Sequence, residues 1–111
     1  NDRLNLGYAI SNTDTKTRLY TCMSTDSSKD DWPKLKLGKT TMRAKIPKHL
    51  LNSGSYRILF AASIHNKEWL VNPDEDAPSL DFLIGGGLSQ SPFWKNPREG
   101  VLAPIIKWTI D

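Results

Sequence analysis

Along most of the chain, apolar and polar side chains alternate with a period of two, the pattern of strands with one dry and one wet face. Over residues 3–10, Leu4, Leu6, Tyr8 and Ile10 fall on one face, and Arg3, Asn5, Gly7 and Ala9 on the other. Asn12-Thr13-Asp14-Thr15 then reads as a turn, because Asn and Asp side chains accept hydrogen bonds from the backbone just ahead of them. A second strand is predicted over 17–23. Residues 24–37 lose the alternation: a polar run from Ser24 to Asp31, closed by Trp32-Pro33, predicts a long loop. Alternation returns over 39–46, with Met42, Ala44 and Ile46 against Thr41, Arg43 and Lys45, until Pro47, which has no N–H to give, stops the pairing. Residues 48–52 predict a single helical turn closed near Gly54.

The clearest strand is 55–65. Tyr56, Ile58, Phe60, Ala62 and Ile64 line one face; Arg57, Leu59, Ala61, Ser63 and His65 line the other. The second face is itself partly apolar, so a central strand is expected. Asn66-Lys67-Glu68 turns, 69–71 forms a short strand, and 72–78, with two prolines, is loop. Leu80, Phe82 and Ile84 align in a strand over 79–84, broken by Gly85-Gly86-Gly87. Residues 91–100 are loop, and 104–110 closes the chain as a strand with Ile106, Trp108 and Ile110 on one face and Trp108 in the core. Six or seven short strands with turn signals between them indicate an all-β fold, an antiparallel β-sandwich. Fully burying an aligned Leu, Ile or Phe contributes about 1.5–3 kcal/mol, which places much of the expected stability in 56–64.

Length and charge narrow the picture. One hundred and eleven residues suit a single domain over 1–111. With 38% hydrophobic and 24% charged residues the chain is polar, yet well short of disorder. No apolar run approaches the roughly 20 residues of a membrane-spanning helix. The chain opens on Asn1 without a basic-then-apolar leader, and we read it as a fragment of a longer product. The net charge of +3 is interspersed, and the densest basic stretch, from Lys34 to Lys48, reads as solvated strand faces, so no nucleic-acid partner is expected. Cys22 has no second cysteine to bridge to, which favours a cytoplasmic location, and between Tyr20 and Met23 it reads as a small buried residue.

Most recognisable chemistry is missing from the linear pattern. Gly85-Gly86-Gly87-Leu88-Ser89 lacks the Gly-Lys-Ser/Thr ending of a phosphate loop. The two histidines, His49 and His65, belong to no metal-binding or nucleophile motif. Asp74, Glu75 and Asp76, and likewise Asp26, Asp30 and Asp31, lack EF-hand spacing and read as solvated loops. No catalytic residue, metal or cofactor is therefore expected. The tryptophans say more. Trp32, Trp69 and Trp94 each lie in or beside a loop. There a large aromatic either plugs the end of a sandwich or offers sugar C–H groups a flat apolar face, with neighbouring polar side chains meeting the hydroxyls.

Three stretches, in order, carry a family resemblance. They are Lys45-Ile46-Pro47-Lys48-His49-Leu50-Leu51-Asn52-Ser53-Gly54-Ser55-Tyr56-Arg57-Ile58, then Asp74-Glu75-Asp76-Ala77-Pro78-Ser79-Leu80-Asp81-Phe82, then Arg98-Glu99-Gly100-Val101-Leu102-Ala103-Pro104-Ile105-Ile106-Lys107-Trp108. Together they resemble the C-terminal polysaccharide-recognition domain of Wzt-type ATP-binding proteins of bacterial O-antigen ABC exporters. The resemblance covers most of 39–110 and, more loosely, 6–23. It implies an immunoglobulin-like or jelly-roll sandwich similar to carbohydrate-binding modules. It also implies recognition of the finished, often capped, end of a glycan, and export by attached ATPase and membrane subunits. A homodimer is implied, sometimes formed by exchange of the terminal strand, here 104–110. The family's earlier strands and ATPase half are not in this chain, and the shared residues (Pro47, Gly54, Tyr56, Phe82, Gly100, Pro104, Trp108) read as turn and core.

Ligand contacts are expected instead on the wet face of the central strand and the loops beside it: Arg57, Ser63 and His65, with Trp69 and Trp94 as platforms. Arg57 either holds an anionic group of the glycan by paired N–H bonds or pairs with a surface carboxylate. The leading expectation is a non-catalytic glycan-binding module. Behind it stand an assembly sandwich that docks a partner subunit through exposed aromatics and an open edge, and a fragment of a glycoside-active enzyme, which needs two carboxylates facing one cleft.

Overall fold

The computed structural model describes residues 4–34, 37–65, 67–75, 77–85, 92–93 and 98–111. Five strands dominate it: β1 (Leu4–Asn12), β2 (Arg18–Met23), β3 (Gly54–Ile64), β4 (Glu68–Val71) and β5 (Ser79–Ile84). The sole helical element among the described residues is a 3-10 turn at Lys29–Asp31, so the fold is all-β. No helix among them is long and apolar enough to cross a membrane.

The strands form one antiparallel sheet in the order β2-β1-β3-β4, with β5 also pairing β3. The β1–β2 hairpin turns where its Asn predicts: Asn12 Oδ1 accepts the N–H groups of Asp14 at 2.8 Å and Thr15 at 3.1 Å. Lys16 completes the turn at φ 60. β3 is central, as its two-sided apolar pattern requires. Its whole length from Tyr56 to Ile64 pairs with β1, Asn12 opposite Tyr56 and Leu4 opposite Ile64. Its other edge is shared between β4, opposite 62–64, and β5, which reaches it through Phe60 N–H to Pro78 O at 3.0 Å.

This register sorts the side chains. Leu4, Leu6, Tyr8 and Ile10 of β1 lie beside Ile64, Ala62, Phe60 and Ile58 of β3 and, at Tyr8 and Ile10, beside Cys22 and Tyr20 of β2. Asn5, Gly7 and Ala9 lie on the opposite face beside Ser63, Ala61 and Leu59. The best-buried residues of the sheet are Ala9, Ile10, Tyr56 and Ala61. Tyr56 stacks on Phe82 with ring centroids 5.5 Å apart. Tyr8 and Tyr20 meet edge to face at 5.8 Å, their hydroxyls 3.1 Å apart. Cys22 is half-buried rather than buried. Extra residues in the ladder fall at Leu19 of β2 and Leu70 of β4, where the register shifts.

The chain divides into two compact units, 1–41 with 56–82 and 42–55 with 83–111. The sheet core just described belongs to the first. In the second, Leu51 bridges Leu102, Ala103 N–H donates to Leu50 O at 2.9 Å, and Asn52 N–H donates to Val101 O at 2.8 Å. The buried Asn52 amide donates to the carbonyls of Arg98 and Gly100, tying the two segments together.

Two expected strands are not formed. Residues 39–46 and 104–110 have no ladder partner and are irregular. Alternation supplies a dry face, but a strand also needs a neighbour to take its N–H and C=O groups. Along 39–46 only Met42 and Ile46 reach even partial burial. Trp108 is not core: it is 92% exposed, with Ile106 at 70%. Among the described residues, neither segment forms a strand. The expected helical turn at 48–52 is a tight turn over 48–50 with His49 exposed at φ 58.

Candidate functional site

A groove of about 600 Å³ opens on the face of the sheet that carries Asn5, Ser63 and Trp69. The register sets these three abreast on β1, β3 and β4, Asn5 opposite Ser63 and Ser63 opposite Trp69. Thr21 and Met23 of β2 extend the floor, and Thr25, Asp26, His65, Lys67 and Glu68 rim it. Gly7 lets β2 lie close enough to do this. A Cβ there would sit 2.6 Å from Met23 Sδ and collide with the Cys22 carbonyl oxygen.

The turn after β2 is held by its own polar groups. Asp26 Oδ2 accepts Met23 N–H at 2.8 Å, Ser24 Oγ accepts Leu6 N–H at 3.1 Å, and Thr25 Oγ1 donates to Asn5 Oδ1 at 2.6 Å. The buried Asn5 is thereby oriented with its amide nitrogen free of that contact. At the other end, Lys67 N–H donates to Ile64 O at 2.9 Å and closes the β3–β4 turn. Trp69 projects from β4 half exposed, at 50%. The groove thus combines an accessible aromatic face with hydrogen-bonding groups of both kinds. No three His, Cys, Asp or Glu side chains gather as metal ligands among the described residues.

Three sequence-predicted residues, Ser63, His65 and Trp69, converge on this groove. Arg57 does not line it. Its guanidinium forks onto Asp81 across β3 and β5, Nε to Oδ1 at 2.7 Å and Nη2 to Oδ2 at 3.2 Å. That pair holds the Asp81 carboxyl below the usual aspartate range, the Arg57 hydrogen bond contributing most. Trp94 lies outside the described residues. Trp32 is half-buried and donates Nε1–H to Ser27 O at 2.7 Å, bracing its own loop. Sequence reasoning missed Asn5, Thr25, Asp26, Lys67 and Glu68. Asn5 carried a signal, a polar residue inside an alternating strand, but only the register places it opposite Ser63. Asp26 carried none that separated it from the other acidic loop residues.

Comparisons with protein-family models, curated proteins and solved structures return no match.

Proposed function

We propose that this chain is a non-catalytic carbohydrate-binding domain that recognises the terminus of a bacterial surface polysaccharide, an O-antigen, for export by an ABC transporter. The observation that carries the binding half of this reading is the half-exposed ring of Trp69, set opposite Ser63 on the wall of an open groove that Asn5 also lines. A flat ring packs against sugar C–H groups, while amide, hydroxyl and carboxylate groups replace the water that the sugar hydroxyls lose. The export half rests on the order and spacing of the three motif stretches around Pro47, Asp74 and Pro104. In this reading the domain works in the cytoplasm, peripheral to the inner membrane through the transporter's ATPase and membrane subunits. Each groove binds weakly, and a homodimer raises avidity.

Titration with the cognate glycan, capped and uncapped, followed by amide chemical shifts, tests the reading. Shifts at Asn5, Ser63, His65 and Trp69 with tighter binding of the capped form are expected. Equal affinity for the two forms refutes cap recognition, and no response from either refutes glycan binding.

A second reading, an assembly domain that docks a partner subunit, is favoured by a different observation. The second unit ends in a segment whose Ile106, Trp108 and Ile110 are 70%, 92% and 101% exposed. It predicts association that depends on concentration and on these side chains.

A further inference from the structure

Resting on the carbohydrate-binding reading, we infer that the groove takes an uncharged sugar, one without phosphate, sulfate or carboxylate. Among the described residues, the charged side chains that line it are two carboxylates, Asp26 and Glu68, and one ammonium, Lys67, with His65 as a further ionisable group. Arg57, the candidate holder of an anionic group, is paired with Asp81 and does not line the groove.

Asp26 is fixed in place by Met23 N–H on Oδ2, which leaves Oδ1 to accept from a ligand. Asn5 has its Oδ1 engaged by Thr25, which leaves Nδ2–H as the donor it can offer to the groove. A donor and an anionic acceptor lining the same groove match sugar hydroxyls, which both accept and donate. An acidic group can accept from Asn5, but it has no proton to give Asp26 and meets two carboxylates, Asp26 and Glu68, against the one ammonium of Lys67. Juxtaposed like charges are a common means of rejecting wrong partners. The specificity of the groove is therefore for hydroxyl pattern, with acidic glycans turned away.

The test is an amide-shift titration of the whole chain at pH 7. Neutral oligomers of mannose, glucose, galactose and rhamnose are compared with oligogalacturonate and oligosialic acid. Neutral oligomers are expected to shift Ser63, His65 and Trp69 and to bind at least about tenfold more tightly than the acidic ones. Trp69→Ala removes binding. Asp26→Asn keeps the oxygen that anchors Met23 N–H, and Glu68→Gln lies at an exposed position; either one narrows the gap between the two classes. Acidic oligomers that bind at these residues as tightly as neutral ones, or more tightly, overturn this inference and leave glycan binding standing. If no oligomer of either class shifts these residues, glycan binding falls and this inference with it.

Discussion

Gly7 shows how much one missing side chain decides. A Cβ at this position points at the Met23 thioether and the Cys22 backbone, and the backbone has nowhere to go without breaking the β1–β2 ladder. Gly7→Ala is expected to lower stability by about 1–3 kcal/mol, the usual range for overpacking, and to displace Met23 from the groove floor. Urea unfolding checks the first effect and the Met23 methyl resonance the second; an unshifted midpoint contradicts the close approach. Asn5 is legible in the same way. A strand-interior Asn signals a polar partner, but the partner, Thr25, comes from a turn that no local pattern ties to β1.

Between elements, the Arg57–Asp81 fork links the central strand to β5, beside the Tyr56–Phe82 stack. Because Arg57 lowers the folded-state pKa of Asp81, the charged pair favours the folded state above the ordinary aspartate value of about 3.9. That contribution is lost as pH falls through the lowered value. An Asp81 carboxyl midpoint below 3.9 by carbon NMR is expected, returning to about that value in Arg57→Gln. A midpoint that does not move with the substitution removes the pair as the cause. Strands β1, β3, β4 and β5 were legible to within a residue or two because their alternation is paired. The same alternation over 39–46 and 104–110 failed because no ladder receives it.

For the whole molecule, the exposed end of the second unit gives the most direct test. Side chains as open as Ile106 and Trp108 contribute little burial, so replacing both with Ser is expected to change stability by no more than about 0.5 kcal/mol. A larger loss, growing with protein concentration in thermal melts, means that another chain covers them in solution and strengthens the docking reading. Trp108 was expected inside because its neighbours alternate. Alternation reports that a face is apolar, and only the fold reports whether anything lies against it.

The all-β class, the central place of 56–64 and the turn at Asn12 follow from local chemistry: period-two patterning, two-sided apolarity, and a side chain that hydrogen-bonds its own backbone. Ser63, His65 and Trp69 could be named in advance because they lie on one strand, the turn that leaves it and its short neighbour. Joining them to Asn5 and Asp26, and taking Arg57 away to Asp81, was left to strand register and loop closure. Those join residues far apart in the chain, and no spacing along it encodes which pairs will meet.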